Sequence, residues 1–227
     1  MRIDPSFLIL IPALLLGMWA QNAVSKRYTQ YSQVLSQRNI SAFDAARMIL
    51  QGAGAYNVGI EMAQGSGLSD HFDPKANVLR LSSGVIHSTS IAAIGIAAHE
   101  AGHALPYQQG YFPIRIRSML IPACSIGSNL AWPLFFIGMI MSSGILLGVG
   151  LALYLLAVLF QLITLPVEFN ASRRAVQILE QSGILSSSEI PGVKKVLSAA
   201  AMTYVAATVS AAANLLRLFT VANRRRS

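Results

Sequence analysis

From Ser118 to Leu165 the chain reads "SMLIPACSIGSNLAWPLFFIGMIMSSGILLGVGLALYLLAVLFQLITL", with no Asp, Glu, Lys or Arg. A helix rises about 1.5 Å per residue, so about 20 apolar residues cross a hydrocarbon core about 30 Å thick. The tract is long enough for two such crossings. In lipid each backbone polar group must be satisfied within its own helix or a closed barrel. The spacing therefore predicts a transmembrane helical hairpin with its turn at "MSSG", residues 141–144, and with Pro122 and Pro133 as kink positions in the first arm.

The rest of the composition agrees with a membrane protein. Of 227 residues, 54% are hydrophobic and 11% charged, where soluble domains carry about a quarter charged residues. The net charge of +8 does not imply a nucleic-acid partner. The basic residues flank apolar segments or form the terminal "RRR" at 224–226, which is the placement of juxtamembrane anchors. The single cysteine, Cys124, excludes an intrachain disulfide.

Five segments follow. Residues 1–24 contain "PSFLILIPALLLGMWAQNAV". This reads as an uncleaved anchor, because Arg2 is offset by Asp4 and no A-x-A cleavage site follows. Residues 25–117 are more polar. "SAFDAARMILQGAG" (41–54) predicts a helix capped by Ser41 and Asp44 and ended by Gly52 or Gly54. "NVGIEMA" (57–63) and "NVLRLSS" (77–83) predict strands that can pair antiparallel, with a turn at "GSGLSD". A helix over 88–106 follows, with Pro106 ending it. The hairpin is 118–165. Residues 166–196 predict a helix from Pro166 to Gly183. Residues 197–227 form an Ala-rich helix with a basic tail. It is long enough to span, but Arg217 and Asn214 leave open that it lies at the interface.

The helix over 88–106 contains "HEAGH". On a helix, His99 and His103 are four residues apart and share a face, so both imidazoles can ligate one Zn²⁺. Glu100 beside them can take a proton from a zinc-activated water and deliver it to a leaving amine. The bland alternative is a pair of packing histidines with a surface Glu. It leaves a carboxylate in an apolar helix, which is costly. Catalytic zinc normally has three protein ligands. The extension HExxHxxGxxH is absent, since positions 106 and 109 are Pro and Gln, and no His follows His103. The third ligand is then His71 or His87 from upstream, or one of Glu168, Glu180 and Glu189 from downstream. Glu168 stands just after the hairpin. It can meet His103 only if residues 118–165 cross the membrane an even number of times, which two spans do. Glu168 is therefore the leading candidate.

Other positions carry lesser expectations. Ser172, one turn after Glu168, can hydrogen-bond a ligand. Arg173 and Arg174 are juxtamembrane charges or oxyanion stabilisers, and Tyr204 is a weaker oxyanion candidate. His71 and His87 are surface residues or support for the site. "NVLRLSS" is either a structural strand or an edge along which substrate adds as a strand.

"LSDHFDP", "NVLRLS", "AAHEAGHA", the apolar hairpin and "LPVEFNASRRA" together resemble the YugP-type neutral zinc metallopeptidases of bacterial membranes. The plan is also similar to HtpX-type membrane gluzincins. The resemblance implies zinc held by His99, His103 and Glu168, with Glu100 as general base. Ser172 stands where HtpX-type proteins have Asp. The expected fold class is a mainly α membrane protein, with a zincin-like α+β catalytic domain (a small β-hairpin plus the HExxH helix) joined to transmembrane helices.

The expected function is a membrane zinc endopeptidase acting on membrane or membrane-adjacent polypeptides. One rival is a site-2-type intramembrane protease, which needs a later Asp, whereas the last Asp here is Asp73. The other is a zinc-stabilised chaperone or scaffold, for which Glu100 would be superfluous. Basic residues near the spans are Lys26, Arg27, Arg38, Arg115, Arg117, Arg173, Arg174, Lys194 and Lys195 on the domain side. Arg2 lies opposite, joined by Arg224–Arg226 only if the last helix crosses. The resemblance implies a multi-pass protein of the bacterial inner membrane, and the bias predicts that its catalytic domain is cytoplasmic. The terminal arginines then argue that the last helix does not cross, or that it breaks the rule.

Overall fold

The computed structural model describes residues 5–64, 69–108 and 112–224. Arg2, Asp4, Gln109, Arg225, Arg226 and the first residues of the expected turn at 65–70 lie outside them. The protein forms two compact units. One comprises Asn22–Arg115 and Val167–Ala201, the other Met1–Gln21, Ile116–Pro166 and Met202–Ser227.

A 3-10 turn at Pro5–Ile9 leads into α1 (Leu10–Ser32), which begins in the second unit and ends in the first, where α2 (Ala42–Gly52) follows. The apolar residues of α2 fall at i, i+3, i+4, i+7 and i+8. Accordingly Ala42, Ala45, Ala46, Ile49 and Leu50 are all buried. The Ser41 hydroxyl caps the helix by accepting from the Asp44 N–H. Past its end Gly54 takes φ +75, a conformation that carries no Cβ penalty for glycine. The Ala55 N–H then turns back onto the Leu50 carbonyl at 2.8 Å.

The sheet corrects the expected pairing. Strands β1 (Gly59–Met62) and β3 (Val78–Leu81) form where strands are predicted, but they run parallel, in the order β1-β3-β2. The third strand, β2 (His71–Asp73), pairs antiparallel with β3. β2 runs opposite to β1 and β3, and a tight turn leads from it into the central strand β3. Asp73 sets that turn by accepting the Lys75 and Ala76 N–H groups. "NVLRLSS" is thus the middle of the sheet and not an edge. Its Leu79 and Leu81 are fully buried.

After a single helical turn, α3 (Ser83–Ile86), α4 spans Ile91–Gln108. The Ser90 hydroxyl accepts from the Ala93 N–H at its start. Pro106 lies inside α4 rather than ending it. Proline removes one helical hydrogen bond, and this near the C-terminus that loss disturbs only the last turn. Pro166 is likewise interior. The expected break there is absent, and α6 is one helix, Gly144–Ser182. It stops at Gly183 with φ +62. The start of α7 (Ile190–Arg224) is tied to the loop after α1 by Glu189. Its carboxylate accepts from the Ser186 N–H and hydroxyl, each at 2.7 Å, and from the Gln37 N–H at 2.8 Å. Burial pushes this carboxyl up, and the Ser186 and Gln37 hydrogen bonds more than offset that, leaving it below its ordinary value.

In the second unit, α5 (Phe112–Ile140) and the apolar part of α6 form the expected hairpin around residues 141–143. The Ser143 N–H closes on the Gly138 carbonyl. Two glycines set how closely the arms approach. A Cβ on Gly138 would stand 2.7 Å from the Leu147 nitrogen, and one on Gly150 would stand 2.8 Å from the Phe135 nitrogen. Small residues are the usual means of close helix packing in lipid. Leu218 on α7 joins Phe135 and Leu147 in a small apolar cluster. The Arg217 guanidinium lies 3.9 Å from the Phe7 ring centroid, a cation–π contact. Among the described residues, four helices are long and apolar enough to cross a membrane: Ser6–Ser32, Met119–Ile140, Gly144–Ser182 and Ile190–Asn223.

Candidate metal centre

Helix α4 presents His99 and His103 on one face, and the polar end of α6 lies against it. Gly102, between the two histidines, permits this contact. A Cβ there would stand 2.7 Å from the Ala171 carbonyl oxygen. Ala171 is flanked on α6 by Glu168 and Ser172, so the absence of one side chain on α4 brings both within reach of the histidines.

Three donor atoms meet. His99 Nε2 is 3.2 Å from His103 Nε2, and Glu168 Oε2 is 3.3 Å from the first and 3.4 Å from the second. His103 is 6% and Glu168 1% exposed, and removing a carboxylate from water this completely is costly without a cation. The near-equilateral triangle has a simple metric. Tetrahedral ligands about 2.0–2.1 Å from a Zn²⁺ ion are separated by about 3.3 Å. The donor types, the edges and the burial all fit a zinc ion. The cluster of His99, His103 and Glu168 is the only such group of three among the described residues.

The surroundings orient these donors. The Ser172 hydroxyl is 3.1 Å from His99 Nδ1. With Nδ1–H donating to Ser172, the Nε2 lone pair faces the other two donors. Glu100 accepts the Phe72 N–H of β2 on Oε2, at 3.2 Å. That contact was not legible in the sequence, because β2 itself was not. Near Glu100 lies Asp70, which accepts from the Ser82 N–H and hydroxyl. Burial pushes its carboxyl up, the Ser82 hydrogen bonds oppose this, and the Glu100 charge adds to the rise.

The remaining candidates lie elsewhere. Glu180 pairs with Lys194 at 2.8 Å, and Glu189 is used in the loop before α7. Of the downstream glutamates only Glu168 reaches the histidines. His71 is exposed on β2, with Nδ1 2.7 Å from the Ser69 carbonyl, and His87 is exposed at the end of α3. Arg173 is exposed, and Arg174 donates to Asn170 on its own helix. Tyr204 belongs to the other compact unit.

A family model described as "Putative neutral zinc metallopeptidase" matches residues 6–223. The sequence is 45% identical over 207 residues to "Putative membrane protease YugP" of Bacillus subtilis (strain 168), covering 91% of this chain and 92% of that protein. No solved structure matches it.

Proposed function

The chain belongs to the neutral zinc metallopeptidase family, and on that premise we propose that it is a membrane endopeptidase in which His99, His103 and Glu168 hold zinc and Glu100 moves the proton. The observation that carries this reading is the three-donor triangle with edges of 3.2–3.4 Å, one residue from a carboxylate. Zinc bound there supplies a Lewis acid that polarises the scissile carbonyl and lowers the pKa of a water toward about 7.

The protein's own groups do the rest. As water attacks the carbonyl carbon, Glu100 accepts its proton. It then passes that proton to the leaving nitrogen while the C–N bond breaks. The Phe72 N–H holds Oε2, which leaves Oε1 for the transfer. Ser172 fixes the ring orientation of His99. β2 is the sheet edge whose backbone meets Glu100, so an extended substrate lies along this edge and not along the central β3. The substrates are membrane or membrane-adjacent polypeptides. The basic residues flanking the spans support a catalytic unit on the cytoplasmic face of a bacterial membrane.

The test compares cleavage of an unfolded model protein by the full-length enzyme and by Glu100→Gln, with zinc content measured in both. Cleavage is expected to fall by about 10²–10⁴-fold with zinc retained. Equal cleavage by the two proteins refutes the assignment of Glu100.

A further inference from the structure

The face of α2 turned towards β1 encloses a cleft of about 240 Å³ that takes no part in the metal centre. Its apolar wall is formed by Phe43 and Leu50 from α2 and by Val58 and Ile60 from β1 and the residue before it, and its rim carries Arg47 and Gln51. The cleft runs beside an open sheet edge. β1 is an outer strand, and Gly59 and Ala63 direct their N–H groups to β3, onto the Asn77 and Leu81 carbonyls. By alternation along the strand, Ile60 and Met62 turn their N–H and C=O groups to the open side.

The electrostatics select the occupant. Arg47 is exposed and makes no ion pair or hydrogen bond among the described residues. The nearby acids are committed elsewhere: Asp44 to Ser41, and Glu61 to Arg80 at 3.7 Å. The site thus offers backbone partners for a strand, a recess whose accessible lining is mostly polar and one uncompensated guanidinium, the group best suited to bind a carboxylate through two hydrogen bonds.

We propose that this cleft docks a polypeptide strand that pairs with β1 and presents a carboxylate to Arg47. The carboxylate is either a free polypeptide C-terminus or an acidic side chain. The cleft lies at the opposite edge of the sheet from β2, two strand spacings or about 10 Å away. It therefore captures a segment of polypeptide separate from the scissile bond. Binding here does not depend on the catalytic assignment.

The test measures fluorescence anisotropy of labelled octapeptides with the full-length protein in detergent micelles, carrying Glu100→Gln so that the probe is not consumed. Three probes are used: one ending in leucine with a free carboxylate, its C-terminal amide, and that amide with a glutamate in the next-to-last position. At least one carboxylate-bearing probe is expected to bind about tenfold or more tightly than the plain amide. Which one binds distinguishes a free terminus from an acidic side chain. Arg47→Glu is expected to abolish that preference, Arg47→Lys to restore it in part, and Lys75→Glu, elsewhere on the surface, to leave it intact. Equal binding of all three probes, or an unchanged preference in Arg47→Glu, overturns the proposal. So does loss of binding to phosphatidylglycerol vesicles in Arg47→Glu with peptide binding intact, since that assigns Arg47 to lipid.

Discussion

Replacing Gly102 by Ala adds one methyl group at the contact that assembles the metal centre. The new Cβ would stand 2.7 Å from the Ala171 carbonyl oxygen, where ordinary contact begins at 3.4 Å. That oxygen belongs to helix backbone and cannot rotate away, so α4 and α6 must part by about 0.7 Å. Glu168 and Ser172 move with α6, while His99 and His103 stay with α4. A zinc site tolerates ligand distances within about 0.2 Å, so the displacement exceeds what the donors absorb without rearrangement. Overpacking costs about 1–3 kcal/mol, against a gain of about 1 kcal/mol in helix propensity. The net is a loss of about 0–2 kcal/mol of stability, and zinc affinity falls by about 10–100-fold. Gly52→Ala is the control, since a Cβ there meets nothing within 4 Å. The assay is a competitive zinc titration against a chromophoric chelator, with thermal unfolding of the same samples. Wild-type zinc affinity in Gly102→Ala would refute the reasoning.

Three further outcomes follow from the same geometry. Ser172→Ala removes the partner of His99 Nδ1 and should weaken zinc binding or activity about 10–100-fold; unchanged titration and turnover would remove Ser172 from the site. Glu189 has a depressed folded pKa, so its stabilisation is present above the unfolded value of about 4.3 and is lost as pH falls through the folded value. Glu189→Gln should therefore lower stability at pH 7 by about 1–3 kcal/mol and flatten the acid limb of a pH–unfolding profile; an unchanged limb would contradict this. In the hairpin, Gly150→Val should destabilise by about 1–3 kcal/mol, because its Cβ would meet the Phe135 nitrogen at 2.8 Å, whereas Gly148→Val meets nothing; equal unfolding of the two in detergent would remove glycine packing from the account.

What was legible in the sequence followed from periodicity and length. The i, i+4 histidines share a face on any helix. The uncharged tract fits two crossings and a turn, and that even number returns Glu168 to the side of His103. The prolines were less informative. Pro106 and Pro166 each suggest a boundary, because an interior proline removes one hydrogen bond and clashes with the carbonyl four residues back, yet α4 and α6 continue through them. β2 escaped notice because three residues containing His and Asp are too few to show alternation. Without β2 the neighbouring strands look like a hairpin, and the Phe72 N–H on Glu100 has no strand to come from. The role of Gly102 is also tertiary: the sequence shows a glycine in an Ala-rich helix, but not the carbonyl facing it.

We propose above that Glu168 completes a zinc site with His99 and His103. The most direct test is zinc-edge X-ray absorption on the purified full-length protein, alongside zinc stoichiometry in wild type, Glu168→Ala and Glu180→Ala. Expected are one zinc per protein molecule in wild type, two imidazole nitrogens and oxygen ligands around it, loss of zinc or of one oxygen in Glu168→Ala, and no change in Glu180→Ala. An unaltered zinc content and spectrum in Glu168→Ala would contradict the proposal.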